Sequence, residues 1–188
     1  MSALSTTVVA KFCELCDWTF QSWQTRKYLF DDNPRQDLLK DPRHAHFFRR
    51  LALITQEYWL LQLAKLHDPP VQGGQINLTV DYIVSFGGWD AATRQQLEQL
   101  RGRLVALVLR IKGARNKILC HNDLATLIAD KPLGEFDADA DVQYFRTLHE
   151  FVAIIYDRAI GGLPPMDDLI RNDVECFFAA FSKGVTQL

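Results

Sequence analysis

The chain has 188 residues, of which 48% are hydrophobic and 23% are charged, and its net charge is −2. This composition excludes a disordered tail and is typical of a globular domain that can bury a core without disulfide bonds. Because basic residues do not exceed acidic ones, the chain as a whole is not a polycation. Any affinity for nucleic acid therefore has to come from a local basic surface.

Neither a membrane protein nor a secreted one is expected. The longest apolar runs, among them Leu104–Leu109 and Phe151–Tyr156, are six residues long, whereas a membrane-spanning helix needs about 20. The first residues contain no apolar stretch with a cleavage site, so a signal peptide is not expected. The 4 cysteines are too few for a disulfide framework. We expect a cytoplasmic protein without membrane contact.

Helical periodicity dominates the chain, and no convincing pair of alternating strands is found. Asp32-Asn33-Pro34 ends the first predicted helix, and Pro-Pro or Gly-Gly pairs end the second, third and fifth. Residues 71–76 are predicted as a loop, Asn77 as the cap of the third helix and Asp90 as the cap of the fourth. The fourth helix is expected to reach at least Lys117, with Leu127 as its latest end. The predicted helices cover about Thr6–Phe30, Pro42–Asp68, Leu78–Phe86, Asp90–Lys117, Val142–Ile160 and Asp168–Lys183.

These elements predict an all-α fold. Short connections and amphipathic helices are typical of a bundle, here one of five to six helices. No repeat, low-complexity tract or long linker is present, so residues 1–188 are predicted to form a single domain.

Residues 101–120 have the largest local excess of positive charge. They contain six basic residues and no acidic one, namely Arg101, Arg103, Arg110, Lys112, Arg115 and Lys117. The same segment is rich in Leu, Val and Ile, so its helix must bury one face while its basic groups emerge at the edges. A helical wheel predicts a buried strip of Leu104, Leu107, Ile111 and Ile118, with Arg115 and His121 on opposite sides of it. Gly113 is a candidate kink.

The spacing of Arg115 and His121 does not by itself indicate a functional site. About one Arg followed by a His five to seven positions later is expected by chance in a chain of this composition. Arg115 near a helix end could equally pair with Asp123 or with helix carbonyl groups.

The residues around this pair resemble a known family. Residues 115–123 read RNKILCHND, while residues 63–69 read LAKLHDP and are followed by NLT at 77–79. The first segment resembles the R-x(4–6)-H signature of the HEPN superfamily, in which a polar residue, often Asn, follows the Arg. The second segment resembles the abortive-infection U branch of that superfamily. The similarity covers about residues 45–125.

The resemblance implies an α-helical bundle that forms a homodimer through the motif helix. Active members are metal-independent ribonucleases that leave a 2′,3′-cyclic phosphate, whereas others only bind. We therefore expect a protein that acts on RNA in phage defence or in a toxin–antitoxin system, with an antitoxin protein as a further partner and without metal or cofactor. The alternatives are a non-catalytic HEPN module that binds RNA, nucleotide or a protein partner through the same helix, and a structural helical adaptor.

Two residues are candidates for catalysis. Metal-free RNA cleavage requires a group that moves protons near neutral pH and a fixed cation for the phosphate. His121 meets the first requirement because an imidazole titrates near neutrality. Arg115 meets the second because its planar guanidinium pairs with phosphate oxygens and stays charged. One imidazole does not easily serve as acid and base together, which favours a symmetric dimer.

Four further residues are candidates for substrate binding. Asn116 can orient the phosphate or the imidazole, and Lys117 and Lys112 can bind the flanking RNA backbone. Asp123 can hold the tautomer of the imidazole.

The cysteines and histidines considered outside residues 115–123 are not assigned to catalysis or metal binding. Cys13 and Cys16 are a lone C-x-x-C pair on a helix and are predicted to pack in the core. His44 and His46 are predicted at the surface or its edge. His67 is predicted as a charged residue in a last helical turn, where it suits the helix dipole.

Aromatic residues recur at helical spacings along the first two predicted helices. They are predicted to lie in the core or in an interface, and they are Trp18, Phe20, Trp23, Phe47, Phe48, Tyr58 and Trp59.

Overall fold

The computed structural model describes residues 4–114 and 139–186, with side chains for 4–109 and 139–184. Within these ranges the chain is all-α, as predicted. Its six α-helices are α1 (Thr6–Arg26), α2 (Ala45–Lys65), α3 (Val80–Phe86), α4 (Ala91–Ala114), α5 (Ala140–Ala159) and α6 (Leu169–Thr186). A π-helical turn, Lys27–Asp31, follows α1, and a 3-10 helix that the sequence did not predict covers Gln36–Lys40.

The predicted start of the third helix is wrong by two residues. Thr79, not Asn77, is the N-cap of α3, and its Oγ1 accepts a hydrogen bond from the Tyr82 backbone N at 3.2 Å. Both residue types are good caps, so the sequence alone did not separate them. The backbone N of Val80 is already bound to the carbonyl of Leu66 at 2.9 Å, which fixes where the helix begins.

The segment 71–76 is not a plain loop. It contains an antiparallel β-hairpin of strands β1 (Val71–Gln72) and β2 (Gln75–Ile76), with Val71 paired to Ile76. Gly73 and Gly74 have φ angles of 58° and 80°. Two consecutive left-handed residues are what a tight hairpin turn requires, and glycine adopts them without strain. Strands of two residues are too short to show an alternating pattern.

The described contacts divide the chain into two compact units. The first consists of Met1–Asp17 and Leu60–Met166, and the second of Trp18–Trp59 and Asp167–Leu188. The prediction of a single domain stays a prediction.

The core of the first unit is built on α4 and α5, which pack against each other. Helix α5 buries an apolar face of aromatic and aliphatic residues, including Tyr144, Leu148, Phe151 and Ile155. The ring of Phe12 meets Phe151 edge to face at a centroid distance of 6.0 Å. Burial of these large side chains is the main favourable contribution to the stability of the unit.

The two cysteines of the N-terminal helix lie in this core. Cys13 and Cys16 are both fully buried, which confirms the prediction of core packing. Burial raises the pKa of the Cys13 thiol to about 12, and it raises the pKa of Cys16 as well. Both residues are therefore neutral thiols and poor nucleophiles at physiological pH.

The second unit has an aromatic core. One hydrophobic cluster of this unit consists of the buried residues Leu39, Phe48, Val174 and Phe178. The imidazole of His44 packs edge to face on Phe48, and its Nε2 lies 2.7 Å from the carbonyl oxygen of Leu38. His44 is thus an edge residue of this core, and His46 lies at the surface or its edge, as predicted.

The prediction of a charged His67 is wrong. His67 follows α2 and packs into the first unit, where its Nε2 lies 2.8 Å from the hydroxyl of the fully buried Tyr144. Burial lowers the pKa of His67 to about 4. The imidazole is therefore neutral at physiological pH, because a charged ring would lose its hydration without gaining a carboxylate partner.

This burial predicts an acid-sensitive stability. The unfolded state protonates His67 near pH 6.5 but the folded state only near pH 4, so the unfolded state binds more protons between these values. The free energy of unfolding should then fall as the pH drops through this window. We expect His67→Gln, whose amide can still bond to Tyr144, to remove this contribution in urea denaturation at pH 7 and pH 5.

His149→Gln is the matched control, because it makes the same substitution at a position where the side chain is exposed. A stability difference between wild type and His67→Gln that is the same at both pH values would contradict the buried neutral state.

Candidate functional site

Helix α4 leads directly into the motif segment, defined here as residues 115–123. The helix is capped by Asp90, whose Oδ1 accepts a hydrogen bond from the Thr93 backbone N at 2.9 Å. Its Oδ2 accepts one from Thr93 Oγ1 at 2.7 Å. These hydrogen bonds lower the pKa of Asp90, so the cap is a carboxylate at neutral pH and complements the positive end of the helix dipole. The predicted cap is confirmed.

One face of α4 is buried along the described length of the helix. Leu97 and Leu104 are fully buried, and Leu100 and Val108 are nearly so. This recurrence every three or four residues confirms the predicted amphipathic pattern at Leu104, while Leu107 is half-buried. The helix also continues through Gly113 to Ala114 without a break.

Two of the six basic residues are already paired with acids. Arg101 Nε lies 2.6 Å from Asp81 Oδ1 of α3, and Arg103 Nη2 donates to Glu150 Oε2 of α5 at 3.0 Å. The charge excess predicted from residues 101–120 is therefore overstated at its N-terminal end. The acids come from other helices, so a count along the segment does not find them.

The rest of the positive charge lies further along the chain. Between residues 104 and 122 the sequence contains four basic residues, Arg110, Lys112, Arg115 and Lys117, and no acidic one. The backbone of Lys112 belongs to α4, and its side chain lies outside the described residues. The sequence thus concentrates positive charge towards the motif segment.

The predicted catalytic pair, Arg115 and His121, lies outside the described residues. The same holds for Asn116, Lys117 and Asp123. The convergence of Arg115 and His121 on one phosphate therefore stays a prediction, and so does the dimer through the motif helix.

The second segment of the resemblance has a structural role. Asn77 closes the base of the hairpin, since its Nδ2 donates to the Pro69 carbonyl at 2.8 Å and its backbone N to the Pro70 carbonyl at 2.9 Å. Thr79 then caps α3. Because α3 packs on α4 and supplies Asp81 to Arg101, this segment positions the helix that precedes the motif.

Within residues 4–114 and 139–186, no group of three His, Cys, Asp or Glu side chains is arranged to hold a metal ion. No helix of that part of the chain has both the length and the apolar character needed to cross a membrane. The expected absence of a metal from the site stays a prediction, because the motif segment is not among the described residues.

An all-α domain in which a helix with buried leucines leads into an Arg-Asn…His sequence has the features of a HEPN domain. A HEPN family model described as AbiU2 matches residues 4–176. The chain belongs to this AbiU2 family of HEPN domains, which confirms the resemblance and extends it beyond residues 45–125. No curated protein and no solved structure in the comparisons matches the chain.

The capping geometry of α4 predicts a stability effect close to the site. Asp90→Ala removes both hydrogen bonds to Thr93, so the free energy of unfolding should fall by about 1 kcal/mol. Asp90→Asn keeps an oxygen acceptor and should lose less. Urea denaturation of the two variants and wild type measures the difference, and an alanine variant as stable as wild type would contradict the cap.

Proposed function

We propose that the protein is a metal-independent endoribonuclease that acts on cytoplasmic RNA in phage defence or in a toxin–antitoxin system. One observation carries the proposal. The chain matches the HEPN family across residues 4–176 and has the Arg-Asn-Lys…His sequence at 115–121, directly after the basic end of helix α4. Family membership supports an abortive-infection HEPN protein, and the ribonuclease chemistry is our inference.

The reaction needs two proton transfers and one cation. The RNA 2′-hydroxyl attacks the adjacent phosphorus, the bond to the 5′ oxygen breaks, and the products are a 2′,3′-cyclic phosphate and a 5′-hydroxyl. A base takes the proton from the 2′-hydroxyl, and an acid gives one to the leaving 5′ oxygen. His121 supplies this chemistry, and Arg115 stabilises the extra negative charge that develops on the phosphate oxygens.

A homodimer through the motif helix provides both proton-transfer groups. In a two-fold arrangement one copy of His121 is neutral and accepts a proton, while the other is protonated and donates one. Asn116 and Asp123 are then assigned to orienting the phosphate and the imidazole. Lys112 and Lys117 are assigned to the flanking RNA backbone.

The alternative is a HEPN module without catalysis, which binds RNA, nucleotide or a protein partner through the same helix. The charge distribution favours this candidate as strongly as the enzyme, because four basic residues without an intervening acid bind anions whether or not His121 moves a proton. An antitoxin protein would be a partner in either case.

The enzyme is tested by RNA cleavage in EDTA. We expect wild type to cleave single-stranded RNA and to leave 2′,3′-cyclic phosphate ends, and His121→Ala to be slower by about 100-fold or more. Arg115→Ala should lose activity comparably. His149→Ala is the matched control, since His149 is exposed on α5, and it should cleave like wild type. Equal cleavage by wild type and His121→Ala would exclude the assignment, and RNA binding without cleavage would favour the alternative.

Basic residues that are paired with acids, such as Arg103, and basic residues assigned to RNA, such as Lys112, should contribute differently to the salt dependence of RNA binding. Each phosphate contact lowers the slope of log K against log salt by about 0.7 for a single strand. We expect Lys112→Gln to make the slope less negative by about that amount. Arg103→Gln should change it much less, because Arg103 is paired with Glu150. Fluorescence anisotropy between low and moderate salt measures both slopes, and equal changes would contradict the assignment.

A further inference from the structure

Helix α2 has an exposed apolar face. Phe47, Leu53 and Ile54 are 63%, 53% and 59% exposed, although their side chains are large and hydrophobic. Tyr58 borders them and accepts a hydrogen bond from the indole of Trp18 at 2.7 Å, which holds both rings at the surface. The sequence predicted Phe47, Tyr58 and Trp18 for the core or an interface, and their exposure excludes the core. Contiguous exposed apolar side chains of this kind mark an interaction surface.

Two opposite charges lie on the same face. Arg50 and Glu57 are both exposed, and neither has an ion-pair or hydrogen-bond partner in the described part of the chain. They are seven positions apart, which corresponds to about 10.5 Å along the helix and is too far for them to pair with each other. Leu53 and Ile54 lie midway between them. We call the set Phe47, Arg50, Leu53, Ile54 and Glu57 the α2 face.

We propose that the α2 face binds the α2 face of a second copy of this chain, with the two helices antiparallel. If the two-fold axis passes between Leu53 and Ile54, Arg50 of one copy meets the partner's Glu57, and the same pair forms again on the other side. Leu53 and Ile54 meet their own counterparts at the centre. An apolar centre with one cation at one end and one anion at the other is complementary to its own inverted copy.

The charge pattern favours a second copy over other partners. A nucleic acid offers no apolar surface to Leu53 and Ile54, and an anionic membrane offers no cation to Glu57, whereas an inverted second copy offers both. The two ion pairs lie at the rim of such a contact, so they fix register and direction more than they add affinity.

A single helix face is smaller than the roughly 800 Å² per partner of a stable interface. We therefore expect association in the micromolar range. This contact does not rest on the ribonuclease activity, and it differs from the dimer through the motif helix. With both contacts present, two different two-fold axes would give a tetramer or a larger assembly.

Sedimentation of the full-length chain between roughly 1 and 100 μM tests the α2 face. Arg50→Glu and Glu57→Arg should each weaken the association about tenfold or more, because both pairs across the contact then have like charges. The mass of the largest species should fall by half. The double variant that combines Arg50→Glu with Glu57→Arg should restore the wild-type mass, since each pair across the contact again consists of opposite charges. Arg146→Glu is the matched control, because it changes the net charge equally at an exposed position of α5, outside the α2 face.

Mixing the two single variants gives a second readout. Positions 50 and 57 are both acidic in the Arg50→Glu chain and both basic in the Glu57→Arg chain. In an equimolar mixture, a contact between one chain of each kind therefore has only opposite charges facing each other, and the association should return. Circular dichroism checks that all variants keep the helical content of wild type.

The proposal is overturned if the wild-type association is unchanged by the single reversals, or if neither the double variant nor the mixture recovers it. If Lys112→Glu weakened the association and the α2-face variants did not, the proposal for the α2 face would be overturned and the ribonuclease proposal would remain intact.

Discussion

Helix α4 has to fill a core and carry basic side chains at the same time. Leu97, Leu104 and Val108 are removed from water in the core that α4 forms with α5, and this burial fixes the rotation of the helix about its own axis. Arginines on the edges of such a helix are stable only in water or beside a carboxylate, since burying an unpaired guanidinium is costly. Where α3 and α5 supply carboxylates, the arginines are paired.

The placement of these carboxylates decides where positive charge remains available. Asp81 and Glu150 meet Arg101 and Arg103 at the middle of the described helix. Beyond Arg103 the sequence has no acid until Asp123. The basic residues of this later stretch are the ones that we assign to an anionic ligand, whereas the earlier pair mainly orients α4 between its neighbours. Both roles use the same residue types and depend on what the adjacent helices present.

The sequence predicted the fold where local patterns determine it and failed where contacts between distant residues do. The repeat of leucines indicated the buried face of α4, and Asp90 followed by Thr93 indicated its cap. Pairing of Arg103 with Glu150 joins residues on different helices, and the neutral state of His67 depends on its burial beside Tyr144. Neither arrangement leaves a periodic signal. The hairpin at 71–76 was missed because each strand has only two residues.

Recognition of the site depended on a different kind of information. Spacing alone did not distinguish Arg115 and His121 from a chance pair, and the identity of the neighbouring residues connected them to a family. The LAKLHDP…NLT segment also resembles this family, yet its described contacts are structural. Asn77 closes the hairpin and Thr79 caps α3. A family pattern can therefore mix residues that act on a ligand with residues that place the acting helix, and only contacts separate the two.

The charged residues of this chain are assigned to three different roles, and the net charge of −2 reveals none of them. Arg101 and Arg103 are neutralised within the fold, while the basic residues after them are assigned to a ligand. Arg50 and Glu57 stand at opposite ends of an apolar face, too far apart to neutralise each other. An intramolecular partner would remove the reason to expect a second chain at that face. Neither Arg50 nor Glu57 has such a partner in the described residues. An inverted second copy places a Glu57 opposite each Arg50, and the same contact covers the exposed Leu53 and Ile54.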